Sequence, residues 1–145
     1  MATGATAGYS GKPLWQKLGL TDGQRLYVVA APPCLPQLLA GAPNGVTRIA
    51  RLAEFDIAML FVTSRAALAT ALARALPKLA DGGMIWVAWP KKASGVVTDV
   101  TEDTVRDVTL PQGIVDVKVC AIDATWSGLK LLRRRAPRGK TVIRS

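Results

Sequence analysis

Three short stretches of this chain are apolar without interruption: residues 26–31 (LYVVAA), 57–62 (IAMLFV) and 84–89 (MIWVAW). Each is closed at once, by Pro32-Pro33, by Thr63-Ser64 and by Pro90-Lys91-Lys92. A run of that length with no polar alternation has no face to offer to water, so it reads as a strand covered on both sides. Strands of that kind sit in a mainly parallel sheet between helical layers, and the chain is therefore expected to be α/β.

The segments between the runs supply the helices. Behind Thr63-Ser64, which can cap, Leu68, Leu72, Ala75, Leu76 and Leu79 recur at helical spacing. Pro77 should disturb the last turn and Asp81-Gly82-Gly83 should stop the helix. Thr101 caps a second helix, with Glu102 and Asp103 in the first turn at the positive end of the dipole and Pro111 and Gly113 beyond its end. Near the N-terminus, Ser10, Pro13 and Gly19 frame a short capped helix over residues 14–18. Residues 34–43 have room for two helical turns, and residues 46–50 read as a short strand. Residues 51–55 are too few for the helical crossover that normally joins parallel strands, which leaves that strand antiparallel, irregular or at an edge. Residues 115–122 alternate, and after Asp123-Ala124 a last strand over residues 125–134 closes an antiparallel hairpin.

With 145 residues the chain suits one domain, expected over residues 12–135, with a flexible N-terminus at residues 1–11 and a flexible basic tail at residues 136–145. Arg133, Arg134, Arg135, Arg138, Lys140 and Arg144 stand together with no acid among them, so the body is only mildly basic. That cluster is a candidate for non-specific binding of nucleic acid. The chain has no histidine, which removes imidazole bases, Ser-His-Asp and Cys-His hydrolases and His-ligated zinc. Ser127 consequently has nothing to activate it. Cys34 and Cys120 form neither a CxxC pair nor a disulfide framework, and a reducing cytoplasm fits them. No apolar run approaches the roughly 20 residues of a membrane span, so no membrane partner is expected. No metal cluster is visible.

The order of parts from residue 57 onward resembles the second half of Rossmann-like methyltransferases that use S-adenosylmethionine. The resemblance implies a three-layer, Rossmann-like, methyltransferase-like fold with a mainly parallel sheet and a C-terminal antiparallel hairpin. A closer resemblance rests on Gly8-Tyr9-Ser10-Gly11-Lys12-Pro13-Leu14, Trp89-Pro90-Lys91-Lys92, Thr98-Asp99, Val115-Asp116-Val117-Lys118-Val119-Cys120-Ala121-Ile122-Asp123 and Trp126-Ser127-Gly128-Leu129-Lys130. These are similar to a small bacterial family of unknown function, which implies no reaction, ligand or catalytic residue.

The methyltransferase pattern breaks where the cofactor would sit. After the first strand it calls for a glycine-rich loop, because bare backbone must approach the ligand. Here the loop is Ala30-Ala31-Pro32-Pro33-Cys34, with no glycine and two residues that lack an N–H. An acid for the ribose hydroxyls should end the next strand, where this chain has Ala50-Arg51, with Glu54 the nearest carboxylate. No cofactor is therefore expected, and S-adenosylmethionine in an atypical loop is the alternative.

Open parallel sheets bind ligands beyond the carboxyl ends of their strands. The candidates there are Ala31, Pro32, Thr63, Ser64, Arg65, Trp89, Lys91 and Lys92, joined by Asp99 if residues 93–100 fold back over the sheet. A lysine pair beside a tryptophan and a capped helix start suits a small anion or a nucleotide. The competing reading makes Lys91-Lys92 a solvated charge pair and Trp86 and Trp89 core. Asp116 and Lys118 are expected to form a structural ion pair with each other or with Lys130, Cys120 to be a small buried hydrophobe, and Gly128 to mark a bulge or a close approach. The functional expectation is a non-catalytic ligand-binding or regulatory module with an anion cleft at the strand ends. A methyltransferase with an atypical loop and a nucleic-acid-associated domain acting through its tail are the alternatives, and no catalytic residue is assigned.

Overall fold

A computed structural model describes residues 13–133. The three apolar runs form the middle of a six-stranded sheet. We number the strands β1 (Arg25–Val29), β2 (Thr47–Ile49), β3 (Phe55–Phe61), β4 (Leu79–Pro90), β5 (Ile114–Ala121) and β6 (Trp126–Arg133). Their order across the sheet is β2-β1-β3-β4-β6-β5, with β2, β1, β3 and β4 parallel and the β5–β6 hairpin antiparallel to β4. Helices α1 (Leu14–Leu18) and α2 (Leu35–Leu38) belong to one side, and α3 (Arg65–Ala75) and α4 (Glu102–Thr109) to the other. This is the three-layer architecture expected from the sequence.

Alternation along the central strands divides the core in two. Ala58, Leu60, Val62, Ile85, Val87 and Trp89 pack with Leu68, Leu72 and Val105 of α3 and α4. Ile57, Met59, Phe61, Trp86 and Ala88 pack with Leu18, Leu20 and Leu35. Nearly every residue of β3 and of the second half of β4 is buried, which is why neither strand could alternate. The Trp86 indole N–H donates to the Leu18 carbonyl (2.9 Å), fastening α1 to the sheet. A Cβ at Gly128 would stand 2.9 Å from Ile122 Cδ1 and 3.3 Å from Trp86 Cε3, so this glycine marks a close approach.

Several sequence expectations change in detail. Helix α3 ends at Ala75, and Leu76–Lys78 is a 3-10 turn, because Pro77 has no N–H to continue the ladder. Leu79 is thus the buried first residue of β4 rather than the last rung of a helical stripe, and residues 81–83 lie within that strand at a register shift against β3. At α1 the N-cap is Pro13, while the predicted cap Ser10 lies outside the described residues. Helix α2 is a single turn instead of two. Strand β2 is parallel to β1 at the sheet edge. The short crossover is feasible because β2 is short: Ile49 is level with Ala58, three residues past Phe55. Going back those residues and sideways over two strand spacings covers about 14 Å, within the roughly 20 Å that six extended residues reach. The flexible ends assigned to residues 1–11 and 136–145 lie outside the described residues, as do Arg134, Arg135, Arg138, Lys140 and Arg144.

Candidate functional site

The carboxyl ends of β3 and β4 lie side by side, tied by the Val62 N–H donating to the Ala88 carbonyl (2.9 Å). The chain leaves β3 at Thr63 and enters α3, whose N-cap Ser64 accepts from the Ala67 N–H through Oγ (3.0 Å). Residues 95–100 do fold back here. Thr98 Oγ1 donates to the Thr63 carbonyl (2.7 Å), and Asp99 Oδ1 accepts from the Arg65 N–H (2.8 Å). The Arg65 guanidinium stands 3.8 Å from Asp107 of α4. Thr63, Ser64, Arg65 and Asp99 are therefore brought together, in a cluster whose positive helix end already holds a carboxylate of the same chain.

Lys91 and Lys92 follow β4 beside this cluster. The Lys91 N–H donates to the Thr125 carbonyl (2.7 Å), and its own carbonyl accepts from Ser94 N and Oγ, closing a tight turn. Lys92 is exposed and Lys91 half-buried, and neither lies within ion-pair distance of a described acid. Trp89 is buried with the α3 side of the core and Trp86 with the α1 side, so both indoles are packing groups.

At the end of β1 the backbone takes an unusual turn. Ala30, exposed, has φ 55°, the only non-glycine residue with positive φ among those described. Ala31 and Pro32 follow, half-buried, and the Leu35 N–H is spent on the Pro32 carbonyl (3.0 Å). This loop presents prolines and an internally bonded amide where a cofactor's polar end would need open N–H groups. Glu54 lies at the other end of the sheet, paired with Arg25 (3.1 Å). The loop therefore departs from the glycine-rich form that holds S-adenosylmethionine in the pose usual for such folds. A cleft of about 240 Å³ lies under α2 instead, lined by Leu20, Leu26, Leu35, Leu39 and Val46 with Arg48 as its charged member.

Comparison with known proteins fits this geometry. The family described as "Protein of unknown function (DUF3052)" matches residues 54–135. The chain belongs to that family. No curated protein matches it. Among solved structures, it is similar to the ribosomal protein L11 methylase from Lactobacillus delbrueckii subsp. bulgaricus, at 8% identity and TM-score 0.57 over 83% of this chain and 74% of that one. The glycopeptide N-methyltransferase MtfA is similar at 12% identity and TM-score 0.55, over 81% and 86% of the two chains. A protein in the NADB-Rossmann superfamily from Streptococcus agalactiae matches at 11% identity and TM-score 0.53, over 88% and 71%. At such identities the likeness shows the fold, which in this DUF3052 member is Rossmann-like and methyltransferase-like.

Charge pairs that the sequence did not reveal lie away from the strand ends. Asp56 accepts from the Arg25 N–H (2.8 Å), Nε (3.0 Å) and Nη2 (3.1 Å), which holds its carboxyl below the ordinary carboxylate range. Asp116 pairs with Arg106 Nε of α4 (3.0 Å), not with Lys118 or Lys130. The reason is a register shift between Asp116 and Lys118, which sends the two side chains to opposite faces. Arg106 also pairs with Glu102, and both acids hold its guanidinium more firmly charged. Cys120 is buried, and burial raises its thiol pKa against smaller opposing pulls from Lys17, Lys118 and Lys91, so a thiolate nucleophile is disfavoured there. Arg133, at the root of the basic tail, donates to the Leu76 (2.8 Å) and Leu79 (3.4 Å) carbonyls and so closes the end of α3. Among the described residues no group of His, Cys, Asp and Glu could hold a metal, and no helix is long and apolar enough to cross a membrane.

Proposed function

We propose that this DUF3052 chain is a non-catalytic binding module on a methyltransferase-like fold, which holds a small anion or nucleotide at the carboxyl ends of β3 and β4. The observation that carries this reading is the loop after β1. Its left-handed Ala30, its two prolines and its self-bonded Leu35 amide take away donors that a dinucleotide-type cofactor would need. Lys91 and Lys92 stand two strands away without an acidic partner, beside a helix start that Asp99 and Ser64 have already satisfied. A ligand would therefore be held by the ammonium groups, on a turn fixed by the bonds of Lys91 to Thr125 and Ser94.

Two titrations test this. S-adenosylmethionine and its demethylated product should give no saturable heat in calorimetry, and a one-to-one isotherm would establish the methyltransferase alternative. Phosphate, sulfate or a nucleotide should raise the melting temperature, by the equivalent of about 2.7 kcal/mol at roughly 100 times Kd. The double variant Lys91→Ala/Lys92→Ala should lose that shift and keep its unliganded stability, since neither ammonium group pairs with a described acid and the bonds that fix the turn are made by the Lys91 backbone. Equal shifts in both proteins would place the anion elsewhere.

A further inference from the structure

The sheet face of the terminal hairpin under α1 carries a charge arrangement that the fold alone does not explain. Lys118 of β5 and Lys130 of β6 are directly opposite in register, and Lys130 is in turn opposite Trp86 of β4. Trp86 points into the α1 side of the core, so both lysines leave the sheet on that side. Opposed residues on one face have Cβ atoms about 5 Å apart, and like charges in that position destabilise a sheet. No ion pair among the described residues offsets the repulsion. The ion pairs among the described residues are made by Arg25, Arg65 and Arg106, and no described acid lies within ion-pair distance of Lys91, Lys118 or Lys130. Asp116 is turned to α4 on the opposite face, and Asp123 Oδ1 is occupied by the Thr125 (2.8 Å) and Trp126 (2.7 Å) N–H groups.

Two more cations reach the same area. Lys17 of α1 and Lys91 at the end of β4 lie, with Lys118, near enough to Cys120 to bear on its thiol. Gly128, directly opposite Cys120, contributes no side chain between them. From the level of Lys130 to that of Pro90 the face runs about 13 Å along the strands, with Ala88, Cys120 and Gly128 buried between the two levels. Opposed lysines on one sheet face do not enclose a small molecule. They match a chain of regularly spaced, singly charged phosphates, which lysine binds as a point charge.

We propose that this face docks the phosphodiester backbone of nucleic acid, with Lys118 and Lys130 as its central contacts and Lys91 at its margin. The surface lies across the sheet from α3 and shares only Lys91 with the strand-end site. Fluorescence anisotropy of a labelled, mixed-sequence single-stranded oligonucleotide against the full chain over a salt series tests it. Each phosphate contact to a single strand adds about 0.7 to the slope of log K against log salt. Lys118→Ala/Lys130→Ala should therefore reduce the slope by about 1.4 and weaken binding about 25-fold at roughly 0.1 M salt. The same variant should melt no lower than the wild type, because it relieves a like-charge pair, and Lys118→Arg/Lys130→Arg should restore the slope. An unchanged slope in the alanine variant overturns the proposal. So does loss of binding on changing Arg134, Arg135, Arg138, Lys140 and Arg144 to Ala with no further effect of the hairpin pair, which would assign binding to the tail. Preference for an acidic polypeptide over the oligonucleotide overturns it as well. None of these outcomes touches the anion-induced shift that tests the strand-end site, so the two readings fail separately.

Discussion

Replacing Ala30 by glycine should stabilise this protein, against the general rule that glycine weakens a fold. At φ 55° the Ala30 Cβ crowds the following carbonyl, a cost of about 1–2 kcal/mol for an L-residue that glycine does not bear. The methyl group is exposed, so its removal forfeits no buried apolar surface. Against the gain stands the larger freedom of glycine in the unfolded chain, about 0.4–1 kcal/mol. The balance is a net stabilisation of about 0.5–1 kcal/mol. Urea denaturation at neutral pH reads it as a higher midpoint with an unchanged slope, and a slope of about 1–3 kcal/mol per molar puts the shift at a few tenths of a molar. Ala31→Gly is the control: Ala31 has no positive φ and packs against the α1 side of the core, so it should lose about 0.5–1 kcal/mol. A destabilised Ala30→Gly would mean that the left-handed turn is held by something other than relief of local strain, and the reasoning would fail.

Two further substitutions probe the frame around the site. Gly128→Ala sets a methyl 2.9 Å from Ile122 Cδ1 and 3.3 Å from Trp86 in a buried strand, and should cost about 1–3 kcal/mol in the same urea assay. Asp56→Asn tests the clamp at the amino ends of β1 and β3. Because Arg25 holds the Asp56 carboxyl below its ordinary range in the folded chain, the clamp contributes fully above about pH 4 and is lost as the pH falls further. The variant should be less stable than the wild type at neutral pH, and the gap should narrow between pH 4 and strongly acid conditions; a constant gap would deny the linkage.

Much of the sheet was legible because a run such as residues 57–62 has only one economical burial, with both faces covered. The capped start of α4 was legible for a similarly local reason, since Thr101 and Thr104 satisfy each other's backbone within one turn. What escaped depends on parity or on distant partners. Leu79 fits both a helical and a strand period, and only the missing N–H of Pro77 decides between them. Asp116 and Lys118 share a face in any regular strand, and a single register shift separates them. At the candidate site the absence of glycine after β1 could be read directly. The left-handed Ala30 could not, nor could the seating of Asp99 on an amide 34 residues away. The lysine pair of the hairpin required knowing the register of two strands, which alternation gives only to within a slip.

The two helical layers differ in a way that bears on how the molecule breathes. On one side α3 and α4 are 11 and 8 residues long; on the other α1 has five residues and α2 four. Helices of one turn have no stability apart from what they rest on, because nucleation is costly and few bonds follow it. The thin layer should therefore lift without melting the sheet, and the Leu18 carbonyl bonded to Trp86 is the latch that resists this. In native-state hydrogen exchange, amides of α1 and α2 should open at a free energy well below that of β3 and β4. Trp86→Phe should lower the opening energy of α1 by about 1–3 kcal/mol through its unpaired carbonyl. Each such opening bares Met59, Phe61 and Ala88 to water, and a partner that prefers that surface would find the door already on its hinge.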